Sequence, residues 1–340
     1  METRRAGPDG DPPTGSRVVV RHRLTSPDPV SGATLTDVVG ELLETTADAF
    51  VVDTRRGPVR VERAAVTHLK AVPPKPSRRG APHRALSVED LQRVMVGAWP
   101  AMETARLGDW LLRASRGFTQ RANSVMTAGD PGLPLDAALG EVEAWYAARD
   151  LPPNLTVAVP VGTDPADDPV TVTALARRYT LRQPTVTLTA SARTVAGLPS
   201  PAAGLGLELS PDLTDEWLDS YRSYRDVDEE AARAVLTGSP AQVLATARDG
   251  DGTVLGVGRL GLADGWGGIA AMWVPPPARR RGVATAVLRA LAAQAVARGV
   301  VSLHLQTDAD NGAALALYER HGFERHHVYV NVSRARPGGR

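Results

Sequence analysis

The stretch from Ala271 to Thr285, AMWVPPPARRRGVAT, constrains the fold more than any other part of the chain. An apolar strand ends at Val274, a turn carrying Arg279, Arg280 and Arg281 follows, and a long apolar helix opens at Gly282. The N-terminus of a helix offers free backbone N–H groups and the positive end of the helix dipole, so a basic turn there is a ready anion site. Gly282 permits close backbone approach, and the small Ala284 leaves room beside the first turn. Pro275, Pro276 and Pro277 have no N–H to donate, so the donors must come from about Arg279 to Ala284 while the prolines stiffen the strand end. The plainer alternative is an ordinary β–α turn with three solvated arginines.

The elements around this segment read as a mixed α/β sheet. From about Leu205 to Ser333 the order is strand 205–209, helices near 212–222 and 228–237, and strands 241–248, 253–262 and 268–274. Helix 282–298, strand 301–307, helix 311–321 and strand 326–333 complete it. Val283, Val287, Leu288, Leu291 and Ala295 recur at helical spacing and point one face of helix 282–298 at the sheet. The preceding stretch opens with a helix whose start, Ser87-x-x-Asp90, resembles a capping box and which ends near Trp99-Pro100. Strands Asp109–Ala114 and Arg121–Met126, the turn Gly129–Pro134 and helix Leu135–Arg149 follow. Strand Leu155–Val159, helix Val172–Tyr179 and strand Thr185–Thr189 finish that stretch. Near the N-terminus, Arg17–Leu24, Asp37–Thr45, Ala49–Thr54 and Val59–Glu62 are short strands by alternation and β-branched content, which predicts a small SH3-like β-barrel.

Proline and glycine set the boundaries. Residues 1–15 form a polar head expected to be disordered, 16–72 the barrel, and 73–83 a Pro-rich linker within VPPKPSRR and its flank. Residues 84–197 form a middle region, 198–333 the last domain, entered through LPSPAAGLG at Leu198–Gly206, and 334–340 a tail.

Cysteine is absent from the 340 residues, which removes disulfides, thiolate-held metals and any Cys-linked acyl intermediate. Seven histidines, at 22, 68, 83, 304, 321, 326 and 327, show no metal-ligand spacing, so no metal is expected. Formal net charge is +1, and the first 80 residues carry 13 basic against 10 acidic groups. Nucleic-acid binders usually carry a stronger basic bias, so that class of partner is disfavoured. No apolar run reaches the ~20 residues of a membrane span, and the first 15 residues lack the apolar core of a signal peptide, so the expected location is cytoplasmic.

Arg279-x-x-Gly282-x-Ala284 preceded by Val274-x-Pro276 resembles motif A of the GNAT acetyltransferase superfamily. Asn311-x-x-Ala314-x-x-Leu317-Tyr318-x-x-x-Gly322-Phe323 falls where that family has its second signature, and Asn311, Ala314 and Tyr318 share one helix face. The resemblance implies acetyl-CoA as cosubstrate, with its pyrophosphate cradled by Arg279, Arg280, Arg281, Gly282, Val283, Ala284 and Thr285. It implies that the strand Met272–Val274 splays from Ser302–Thr307, so that Met272, Trp273 and Val274 meet the pantetheine and thioester. Asn311 would bond the amide region, and Tyr318 would sit near the sulfur, where a phenol can protonate the departing thiolate. The plainer role for Tyr318 is packing under the Gly322-Phe323 turn. Many members of the family carry a glutamate base six residues ahead of the position of Val274, and here that position is Gly268. The base is therefore open among Asp226, Asp228, Glu229 and water, while His304 reads as a packed or edge histidine.

The layout also resembles an actinobacterial GNAT branch with an SH3-like N-terminus, through Arg55-Arg56-Gly57-Pro58-Val59, Gly108-x-Trp110-x-Leu112-Arg113 and Gly117-Phe118-Thr119-x-Arg121-Ala122-Asn123-Ser124. Residues 84–197 then read as a degenerate GNAT-like copy. Its turn, Thr127–Pro134, has no Arg, carries Asp130 and places Pro131 and Pro134 where donors are needed, so it should be silent toward coenzyme A. Phe118, Arg121, Asn123 and Ser124 would face the acceptor or serve hydrogen bonds within the fold. The function implied is acetyl transfer to a primary amine, of a small molecule or a protein, by direct attack in a ternary complex. A catalytically weak acetyl-CoA-binding sensor or scaffold is the alternative, and the oligomeric state is open.

Overall fold

The computed structural model describes residues 11–12, 17–27, 32–54, 57–71, 82–199, 204–224 and 227–334. The polar head apart from residues 11–12, the linker VPPKPSRR, most of the tail, and Arg55, Arg56 and Asp226 lie outside the described residues. The chain divides into two compact units, Met1–Gly80 and Ala81–Arg340.

The first unit is an antiparallel sheet of β1 (Arg17–Arg23), β2 (Leu35–Thr45), β3 (Ala49–Thr54), β4 (Gly57–Glu62) and β5 (Val66–Ala71). The strand order is β4-β3-β2-β1-β5. Alternation puts Val18, Val20, Leu42, Phe50, Val52 and Val61 on one buried face, which is its core. Gly57 takes φ +101 at the turn into β4, a conformation open to glycine at little cost.

The second unit opens with α1 (Val88–Ala98), β6 (Glu103–Leu107), β7 (Trp110–Ala114), β8 (Val125–Met126), α2 (Leu135–Ala147) and β9 (Asn154–Pro160). Next come α3 (Pro169–Ala176), β10 (Thr180–Leu181), β11 (Thr185–Ser191) and α4 (Ala192–Ala196). The chain continues through β12 (Gly206–Ser210), α5 (Asp215–Arg222), α6 (Glu229–Thr237), β13 (Ala241–Arg248), β14 (Val254–Ala263) and β15 (Trp266–Trp273). It closes with α7 (Val283–Ala297), β16 (Ser302–Asp308), α8 (Gly312–Arg320) and β17 (Glu324–Ser333).

All twelve strands of this unit join one sheet, in the order β12-β13-β14-β15-β16-β11-β17-β9-β8-β7-β6, with β10 paired to β17. Two parallel pairs sit in corresponding places: β8 beside β9, connected through α2, and β15 beside β16, connected through α7. Between them the last strands of the two halves are exchanged. β11, from the earlier half, pairs with β16, and β17, from the later half, pairs with β9. Residues 84–197 and 198–333 therefore build a single sheet about the central β11–β17 pair rather than a sheet each.

Local chemistry explains the elements that shape the site. Ser87 caps α1 by accepting the Asp90 N–H at 3.1 Å, and its own hydroxyl donates to the Asp90 carboxylate at 2.6 Å. The end of α1 presses on β14 and β15, where a side chain at Gly268 would lie 2.5 Å from Ala98 Cβ. Helix α7 buries Val283, Val287, Leu288, Leu291 and Ala295, as its spacing predicts. The expected strand Arg121–Met126 is a correction: only Val125–Met126 is extended. Asn123 holds the preceding loop, its Oδ1 accepting from Ser115 N and Gly117 N at 2.7 and 2.9 Å. Its Nδ2 donates to the carbonyls of Phe118 and Thr119, so a side chain replaces the ladder. Among the described residues no helix is long and apolar enough to cross a membrane.

Candidate active site

The parallel pairing of β15 with β16 runs from Trp266 opposite Ser302 to Ile269 opposite Leu305 and goes no further. On its other side β15 slips register against β14 beyond Ala270, and Ala271 takes φ +52, unusual for a residue with a side chain. This bulge carries the end of β15 away from β16. A cavity of about 590 Å³ opens in the gap. Met272, Gln306, Asp308, Asn311, Ala314 and Tyr318 line it, together with Trp99, Arg121, Tyr221 and Tyr224. Trp273 stacks on Tyr224 with ring centroids 4.2 Å apart, which anchors the diverging strand.

Beyond Val274 the chain makes a short 3-10 turn at Pro276–Ala278 and then enters α7. Gly282 is the N-cap at φ +79 and ψ 1, and no side chain caps the helix. The first turn holds no acidic residue, and Ala286 makes the first helical bond, to the Gly282 carbonyl at 3.0 Å. The N–H groups of Val283, Ala284 and Thr285 thus precede the helical ladder, as an anion cradle requires. Val283 itself is buried in the core, so only its backbone can serve. Arg279, Arg280 and Arg281 are exposed, and Arg279 folds back to donate to the Val274 carbonyl at 3.1 Å. The Thr285 hydroxyl lies 3.0 Å from Nε2 of His321, at the end of α8.

Asn311 is the N-cap of α8, and its Oδ1 accepts the Ala314 N–H at 3.1 Å. Two turns on, Tyr318 faces the same cavity and is 7% exposed. Burial pushes its phenol up to about 12, and among the described residues its hydroxyl has no hydrogen-bond partner. The ring also meets Phe323 edge-on at 5.8 Å, so it packs as well as facing the cavity. Of the residues singled out in the sequence, Met272, Asn311 and Tyr318 converge on the cavity, while Trp273, Val274 and the turn Arg279–Thr285 lie outside its lining.

Residues 87–332 match the family model described as probable histone acetyltransferase Rv0428c C-terminal. The chain belongs to this GNAT-type acetyltransferase family. Residues 12–70 match the Rv0428c N-terminal Sm-like domain, so the small β domain that the sequence suggested is Sm-like by this match. The N-acetyltransferase YobR of Bacillus subtilis (strain 168) is 26% identical over 252 residues, covering 72% of this chain and 98% of that protein. The probable histone acetyltransferase Rv0428c of Mycobacterium tuberculosis is 36% identical over 163 residues, covering 46% of this chain and 48% of that protein. Among solved structures, a GCN5-related N-acetyltransferase from Kribbella flavida superposes with TM-score 0.54 at 17% identity, over 74% of this chain and 96% of that one. A tandem GNAT protein of the clavulanic acid pathway gives TM-score 0.53 at 17% identity, over 77% and 92%. Both likenesses concern the fold, and the second fits the paired parallel units on one sheet.

In this GNAT enzyme the two described candidate bases, Asp228 and Glu229, do not line the cavity. Asp228 caps α6, its Oδ1 accepting the Ala231 N–H at 2.8 Å, and Glu229 is paired with Arg222 and Arg233. Asp308 is the carboxylate in the cavity lining. His304 is buried beside Gly268, its Nε2 unbonded, and burial followed by the charge of Arg121 pushes it down to about 3. It is neutral at ordinary pH and a feeble proton acceptor. Of the four residues that the sequence offered for either the acceptor or internal bonds, Arg121 lines the cavity, while Phe118, Asn123 and Ser124 are spent on packing and internal bonds.

The turn of the earlier half is closed on itself. Asp130 N–H donates to Asp109 Oδ2 at 3.0 Å, Gly132 N–H donates to Asp130 Oδ1 at 2.8 Å, and Pro134 precedes α2 with no capping side chain. Asp136 adds negative charge to the first turn of α2, opposite in sign to the arginines before α7.

Proposed function

We propose that this acetyltransferase moves an acetyl group from acetyl-CoA to a primary amine held in the β15–β16 cavity, by direct attack in a ternary complex. The observation that carries the reading is continuity. The strand that splays to open the cavity runs straight into the uncapped, arginine-flanked start of α7. Acetyl-CoA supplies the activated acetyl as a thioester. The N–H groups of the first turn of α7 and the exposed arginines hold its phosphates, and the freed edge of β15 meets the pantetheine arm. Asn311 and Met272 line the path to the reacting end. The amine nitrogen bonds to the thioester carbonyl carbon and the C–S bond breaks. Tyr318 gives its phenolic proton to the departing thiolate, while the ammonium proton passes to water.

The test is acetyl-CoA binding followed by thermal unfolding. Ligand that binds only the folded chain stabilises it by ~2.7 kcal/mol at a hundredfold excess over Kd. Acetyl-CoA is expected to raise Tm, and Gly282→Glu to abolish the rise by setting a carboxylate among the phosphates. No rise in the wild-type protein at millimolar acetyl-CoA sinks the proposal.

A further inference from the structure

We propose that the acceptor carries an oxyanion, a carboxylate or a phosphate, beside its amine, and that Arg121 binds it in the cavity. This rests on the reading of the cavity as the acceptor pocket.

Several arginines of this unit are matched with acids: Arg177 pairs with Asp136 and Glu143, and Arg248 with Glu208 and Glu216. Arg121, Arg113 and Arg259 have no such partner among the described residues. Arg121 lines the cavity with its guanidinium 5.3 Å from the Trp99 ring. Among the described residues it makes no ion pair, and its Nε is shut from solvent without a hydrogen-bond partner. Arg259, fully buried, lies 5.4 Å from the same ring and donates only to neutral groups: Leu236 O at 2.6 Å, Ala98 O at 2.7 Å and Ser239 Oγ at 2.7 Å. Arg113, also buried, donates to the carbonyl and hydroxyl of Ser124, each at 2.9 Å. Burial pushes both of these buried arginines down to about 10, and the charge of Arg121 pushes each in the same direction.

Arg121 thus sits within electrostatic reach of both buried guanidiniums, and among the described residues none of the three has a carboxylate partner. Arg113 and Arg259 spend these hydrogen bonds inside the fold, and of the three only Arg121 lines the cavity. Uncompensated cations in a poorly solvated place are costly, and an anion arriving there relieves the cost. A cleft lined by one sign of charge also concentrates ligands of the other. Arg182 adds a further cation to the lining, while Asp308 lies exposed on β16. The planar fork of Arg121 suits the paired oxygens of a carboxylate or phosphate.

Arg121→Gln and Arg121→Lys test the assignment. In the ligand-free protein a structural arginine would lower Tm on replacement, whereas relief of repulsion from Arg113 and Arg259 predicts Tm unchanged or raised in Arg121→Gln. With acetyl-CoA, thiol release is followed for glycine and short amino acids against their amides, and for phosphoethanolamine against ethanolamine. The acids or the phosphate are expected to exceed their neutral partners by about ten- to a hundredfold in kcat/KM. Arg121→Gln should erase that preference through KM, Arg121→Lys should restore part of it, and the acetyl-CoA shift in Tm should be unaffected in both. In coenzyme A-saturated protein, N-acetylglycine or N-acetylphosphoethanolamine should raise Tm in wild type more than in Arg121→Gln, which reads the site even where turnover is slow. The acids or the phosphate prevailing tells which oxyanion is used. Equal handling of charged and neutral partners, equal oxyanion shifts in wild type and Arg121→Gln, or a lowered Tm in ligand-free Arg121→Gln overturns the proposal. Absence of any acetyl-CoA shift instead overturns the acetyltransferase reading on which it rests.

Discussion

Gly268 and His304 face each other across the parallel β15–β16 pair, and the imidazole fills the space that a side chain at 268 would need. A Cβ there would lie 2.6 Å from His304 Cε1 and 2.5 Å from Ala98 Cβ. The glutamate that many GNAT enzymes carry at this position therefore has no room here. Gly268→Glu is expected to lose stability rather than gain turnover. Overpacking a filled core costs ~1–3 kcal/mol, and the Ala98 methyl on α1 cannot swing aside. Chemical denaturation with parallel assays decides the matter: undiminished stability with faster acetyl transfer would refute the packing account.

Tyr318→Phe separates chemistry from binding. The phenol, pushed up to about 12 by burial, stays protonated through the neutral and mildly alkaline range, so the proton proposed for the thiolate is in place. Removing it should lower kcat by ~10²–10⁴-fold and leave the acetyl-CoA shift in Tm intact, because the ring still packs on Phe323. A kcat within a factor of about two of wild type would leave Tyr318 with packing alone.

The turn before α7 was legible in the sequence because its chemistry is local: glycine, charge and the start of a helix lie within a few residues. The strand exchange was not, since nothing in β11 or β17 says which half each will join. Their partners are fixed by contacts more than 100 residues away along the chain. The misplaced strand at 121–126 has the same origin in reverse. Asn123 looks like part of an extended run until its four backbone bonds are seen. β6, with the charged pattern ETARL, lies at the sheet edge and shows little apolar alternation to betray it.

Stability should fall in mild acid because two histidines are buried neutral. His304 and His327 are each pushed down to about 3 from 6.5, both chiefly by burial. The unfolded chain takes up their protons as pH falls below about 6.5, whereas the folded chain resists until about 3. Stability is therefore full above about pH 6.5 and is lost on the way down, by roughly 2 kcal/mol per histidine at pH 5. Urea midpoints at about pH 7.5 and 5 should differ clearly in wild type and less in His304→Leu, which also removes an unbonded Nε2. Equal losses in both proteins would show that His304 titrates freely.

Truncation tests the exchanged strands directly. Every strand that pairs with β17, namely β9, β10 and β11, lies before residue 200. β16 likewise pairs on one side with β11, from Ser302 opposite Ser191 to Asp308 opposite Thr185. A chain of residues 201–340 keeps the arginine turn and Tyr318 but leaves β17 without a partner and β16 with a bare inner edge, a recipe for aggregation. It is expected to bind hydrophobic dyes, to lack a cooperative unfolding transition and to show no acetyl-CoA shift. Residues 81–340 keep the whole sheet and should unfold cooperatively, with calorimetry giving one acetyl-CoA per chain. The self-bonded, acidic turn at Asp130 offers no second cradle. A folded, acetyl-CoA-binding 201–340 would show that the exchange is dispensable, and two sites per chain would show that the earlier turn is live.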